Sequence, residues 1–114
     1  MKLSKLPEKI SICGKDYKVR YSRKRLTYKM NENKRSGNVL GYHLGLKGEI
    51  GISIGDKTDY NYCVDEIIDT IIHESLHAIS QRFRLELKEA QVKHLAPAIQ
   101  ALFKDNLKLL DLLK

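Results

Sequence analysis

Residues 65–82, DEIIDTIIHESLHAISQR, decide how the rest of the chain is read. Ile67, Ile68, Ile71, Ile72, Leu76 and Ile79 recur at helical spacing and form one apolar stripe. Asp65, Glu66 and Asp69 place negative charge in the early turns and Arg82 places positive charge at the end, both favourable to the helix dipole. Within this helix His73, Glu74 and His77 spell H-E-x-x-H. Positions i and i+4 stand one above the other on a helix, so the two imidazoles can grip one ion. Glu74 lies about 100° round the helix from His73, beside that face, where a carboxylate can take a proton from a metal-activated water. The plain alternative is an amphipathic helix whose two His and one Glu are surface polar groups.

Working outward, 114 residues make one domain, 1–114, with a modest core. The net charge of +7, from 21 Lys and Arg against 14 Asp and Glu, favours acidic partners without naming one. No apolar run is long enough for a membrane span. The opening MKLSKLPEKI lacks an apolar signal-peptide core, which predicts a cytoplasmic setting. Cys13 and Cys63 have no metal-site spacing and are expected as free, buried thiols.

Residues 1–55 are expected to be mostly β. Residues 10–13 and 17–21 are β-favouring runs around Gly14-Lys15-Asp16, a hairpin signal. Residues 20–35 are strongly basic, with Tyr21 and Tyr28 interleaved. That composition suits a nucleic-acid-binding surface, and equally a solvated face. Residues 49–54 alternate strictly, with Ile50, Ile52 and Ile54 on one side, as a half-buried strand does. Gly51 within it signals a bulge or a close backbone approach. As a sheet edge, this strand could pair with an extended peptide and lay it across the metal.

The metal helix is expected over 63–82 and a second helix over 88–113. The second helix has Val92, Leu95, Ala96, Ile99, Leu102, Phe103, Leu107 and Leu110 on its apolar face, and Pro97 should kink or divide it. The fold class is therefore α+β: a small antiparallel or mixed sheet, then two helices packed together.

A catalytic zinc takes three protein ligands, so His73 and His77 need a third. Phe83 and Arg82 stand where other H-E-x-x-H groups place a third His. Glu86 and Glu89 are the downstream carboxylates. Glu89 shares a helical face with Val92, Ala96, Ile99 and Phe103 and should point inward. Glu86, in or near the turn, is the alternative. His94, about 140° from Glu89, is a poor candidate. His43, Tyr60 and Tyr62 are candidates for stabilising an oxyanion, and Asp69 for fixing His73 through its second nitrogen, unless it is simply a solvated helix carboxylate.

TIIHESLHAIS followed by KEAQVKHLAPAI resembles the compact gluzincin-type metallopeptidases, including minigluzincins and the ImmA/IrrE-like proteins of phages and mobile elements. The resemblance covers roughly residues 48–103. It implies a zinc-dependent peptidase in which His73, His77 and Glu89 hold Zn2+ and Glu74 is the general base. The substrate would be a peptide or protein, and a DNA-bound regulator would suit the basic surface. The spacing from His77 to Glu89 is shorter than in that pattern, and the first 40 residues carry none of it. Two other readings remain: a catalytically silent zinc protein completed by a partner, and a nucleic-acid-binding module using residues 20–35.

Overall fold

The computed structural model describes residues 6–22, 41–54 and 64–114. The elements are β1 (Lys9–Ile12), β2 (Lys15–Ser22), β3 (Gly41–Leu44), β4 (Glu49–Ser53), α1 (Val64–Phe83), α2 (Glu89–Asp105) and α3 (Leu107–Leu112). The fold is α+β, a four-stranded mixed sheet followed by two long helices and a short one.

β1 and β2 form the expected hairpin, but its turn lies one residue earlier than the Gly-Lys-Asp signal. Ile12 pairs with Lys15, leaving only Cys13 and Gly14 in the loop, at φ 51° and 85°. Two positive φ values match the right-handed strand twist of a two-residue hairpin. Cys13 is therefore exposed at the turn tip, not a buried thiol. Cys63, Tyr60, Tyr62 and most of the basic stretch, residues 23–35, lie outside the described residues. Of that stretch, Arg20 donates from Nε to Glu49 Oε1 at 2.7 Å and Tyr21 donates its hydroxyl to the Pro7 carbonyl at 2.6 Å.

The strand order is β1-β2-β4-β3. β2 and β4 run parallel, with Val19 opposite Ile50 and Tyr21 opposite Ile52; β3 is antiparallel to β4. β4 is thus an inner strand, and among the described residues β1 and β3 are the two edges. β4 is also covered on both faces, not half-buried: Gly51 and Ser53 are buried along with Ile50, Ile52 and Ile54. The reason is Tyr42, directly opposite Gly51 in the register. Its ring crosses the glycine so closely that a Cβ at 51 would lie 1.9 Å from Tyr42 Cε2. This is the close-approach alternative for Gly51, with the strand register unbroken. The Tyr42 hydroxyl donates to Glu49 Oε2 at 2.7 Å, and burial together with that bond pushes its pKa up to about 12.

The core lies between the sheet and α1. Tyr17, Val19, Ile50, Ile52 and Ile54 meet Ile67 and Ala78, with Ile71 and Ile79 packed around them. Ile50, Ile52 and Ile67 are fully buried, each contributing about 1.5–3 kcal/mol of transfer free energy. α1 ends one residue later than the expected 82, and position 63 lies outside the described residues. Its other side carries α2, whose Val92 and Ala96 are completely buried.

The second helix differs from the expected 88–113. It runs unbroken through Pro97 and stops at Asn106, where φ −134° and ψ 57° separate it from α3. Pro97 is exposed, so the carbonyl it cannot serve faces water and the helix continues. The apolar face is packed only in part: Val92 and Ala96 are buried, whereas Leu95, Leu102 and Leu107 are 39%, 50% and 64% exposed. α2 runs antiparallel to α1, and Gln100 and Lys104 already reach Asp65 in its first turn. Past that point α1 offers nothing to cover Leu107. No described helix is long and apolar enough to cross a membrane.

Candidate metal centre

α1 supplies His73 and His77 one turn apart. The connection 84–88 then folds back tightly: Leu85 N–H donates to the Ser80 carbonyl and Leu87 N–H to Ser80 Oγ, both at 3.0 Å. Arg84 and Glu86 take left-handed φ values of 53° and 56° in this turn. Gln91 reaches back to the Lys88 N–H at 2.8 Å and fixes the start of α2. The result places Glu89, the first residue of α2, over the two imidazoles.

Glu89 Oε1 lies 2.8 Å from His73 Nε2, and Glu89 Oε2 lies 2.7 Å from His77 Nε2. The two Nε2 atoms are 3.2 Å apart. The histidine side chains are 17–18% exposed and that of Glu89 37%. These three residues form a group able to hold a metal ion. The geometry fits one: ligands about 2.0–2.1 Å from a tetrahedral zinc stand about 3.3 Å from each other. The observed donor separations reach that by opening a few tenths of an ångström. Without an ion, protons on both Nε2 atoms would bridge to the two carboxylate oxygens, so the same geometry also suits a hydrogen-bonded cluster.

Glu74 is 7% exposed and faces β3. Gly41 permits this. A Cβ there would lie 2.8 Å from Thr70 Cγ2 and 3.0 Å from Glu74 Cγ, so the helix sits directly against the strand backbone. His43 shares the helix-facing side of β3. Its ring lies parallel to that of His77 with centroids 6.1 Å apart, and its Nε2 is 3.2 Å from Gln81 Oε1. Asp69 is half-buried, between the two expectations for it. Its Oδ1 is buried without a hydrogen-bond partner, and burial raises its pKa against the opposing charge of His73. Glu86 is exposed in the turn, away from the triad's three donors, and His94 is exposed on α2.

Sequence reasoning missed Gln81, Gly41 and Ser80. Gln81 had a signal: Asp69, His73, His77 and Gln81 follow one another at steps of four along a single ridge of α1. Gly41 acts through partners distant in sequence, and Ser80 through the turn that follows it, whose path its residue type does not mark.

Comparison of the chain with family models, with curated proteins and with solved structures gives no match. Fold and site together define an α+β protein with a His-x3-His pair and a carboxylate from the next helix, a group that could hold a metal ion.

Proposed function

We propose that the chain is a zinc-dependent peptidase. The observation that carries this reading is the convergence of His73, His77 and Glu89 from two helices, with the buried Glu74 next to the first of them. Two imidazoles and one carboxylate are a donor set of catalytic zinc sites, which keep a fourth position open. Zinc at this place would supply Lewis acidity and lower the pKa of a water. Glu74 takes a proton from the attacking water and returns it to the leaving amine nitrogen. Its burial against β3 holds the carboxylate in one orientation. The substrate is an extended peptide segment that pairs with the outer edge of β3, taking the role first expected of residues 49–54, so that main-chain hydrogen bonds align it beside the triad.

The test combines zinc analysis with cleavage of a mixed peptide library read by mass spectrometry. The wild type should carry zinc and cleave. Glu74→Gln should keep zinc and lose at least about 100-fold in rate. His73→Ala should lose both. A fully active Glu74→Gln protein would refute the assignment, and zinc without cleavage in the wild type would leave the silent metal protein.

A further inference from the structure

Asp69 is the residue on the ridge of α1 that neither the triad nor the core accounts for. It lies one turn before His73, and a helical side chain leans back over the turn that precedes it, so the His73 ring covers position 69. Asp69 is past the first turn, where Asp65 and Glu66 already meet the dipole, so helix-end charge does not explain it. Its Oδ1 is shut off from solvent and accepts no hydrogen bond, an arrangement that costs stability and calls for a reason.

The reason lies in what His73 must do to hold a metal. In the structure His73 Nε2 faces Glu89 Oε1 at 2.8 Å, a contact satisfied by a proton on Nε2. A metal takes the Nε2 lone pair, so the ring must then carry its proton on Nδ1. That Nδ1–H needs an acceptor, and the Glu89 carboxylate lies on the Nε2 side of the ring.

We infer that Asp69 is the positioning residue for His73, its sequestered Oδ1 accepting the Nδ1–H of the tautomer whose Nε2 ligates the metal. Acceptors of this kind fix ring orientation and raise ligand basicity. The acceptor is buried before the metal arrives, and it takes the Nδ1–H once the His73 ring has turned onto the metal. This inference rests on the metal reading proposed above, and on nothing concerning peptide hydrolysis.

The experiment measures zinc affinity by competition with a chromophoric chelator for wild type, Asp69→Ala, Asp69→Asn and His73→Ala. Circular dichroism of the metal-free forms reports the fold, and 15N NMR of histidine-labelled protein reports which ring nitrogen of His73 is protonated. Asp69→Ala should weaken zinc about 10- to 100-fold with the metal-free fold intact. Asp69→Asn, which keeps a carbonyl acceptor, should recover most of the affinity. Zinc loading of the wild type should move the His73 proton from Nε2 to Nδ1. Wild-type affinity in Asp69→Ala, or a zinc-loaded His73 protonated on Nδ1 equally well without Asp69, overturns the inference and leaves the metal centre standing. A wild type that binds zinc no better than His73→Ala overturns both.

Discussion

Zinc should raise the thermal midpoint of this chain, and removal of one donor should abolish the rise. The three donors already lie within 2.7–3.2 Å of one another, so binding requires no rearrangement beyond a small opening of the rings and the carboxylate. Binding energy therefore appears as folding stability. Zinc at a hundred times its dissociation constant adds about 2.7 kcal/mol. A chain of 114 residues has an unfolding entropy of about 0.24 kcal/mol/K near its midpoint, from about 2.1 cal/mol/K per residue. The expected rise is thus about 11 °C, the quotient of those two numbers. Differential scanning fluorimetry over a zinc series, with calcium and magnesium as controls, measures it. Glu89→Ala should fold at nearly the wild-type metal-free midpoint, because its side chain is 37% exposed and lies at the start of a helix. That variant should gain little from zinc. A wild type unmoved by zinc, or an equal rise in a protein lacking His73, His77 and Glu89 together, would refute the argument.

Three further predictions follow from the packing. Ser80→Ala removes the acceptor for the Leu87 N–H, so it should cost about 1–2 kcal/mol in urea unfolding and also weaken zinc, since that turn aims Glu89. Unchanged zinc affinity would separate the turn from the site. Gly41→Val should cost about 1–3 kcal/mol by forcing α1 off β3, whereas Gly45→Ala should cost less, because it meets only the flexible Gln81 amide. Equal costs would contradict the contact geometry. Burial raises Tyr21 and Tyr42 to about 12, so the unfolded chain loses these protons first as pH climbs. Their contribution is whole below pH about 10 and disappears between there and about 12, which urea midpoints and phenolate absorbance measured over that range should show together.

Some of this architecture was legible locally. The spacing of isoleucines along residues 67–79 places a helix, and the i, i+4 relation of His73 and His77 follows from helix geometry whatever surrounds it. Glu89 was reachable by one more step, because a residue in register with Val92 and Ala96 must face the helix those two are buried against. The hairpin was visible, yet its turn moved by one residue, since Cys13 tolerates a positive φ that its residue type does not advertise. The inner position of β4 was not legible. Its pairing with β2 is parallel and non-local, and a period-two pattern says nothing about which strands become neighbours. The second face of β4 was hidden for the same reason, as Tyr42 covers Gly51 from another strand.

What the sequence by itself determined is therefore the helix, the two imidazoles one turn apart and the class of the fold, because each depends on periodicity within a few residues. What only the tertiary structure decided is that Glu89 arrives within 2.8 Å of both rings, that Gly41 lets β3 press on Glu74, and that one carboxyl oxygen of Asp69 is shut off from water. Those facts depend on how the 84–88 turn and the strand order bring distant segments together, and no local pattern carries that information.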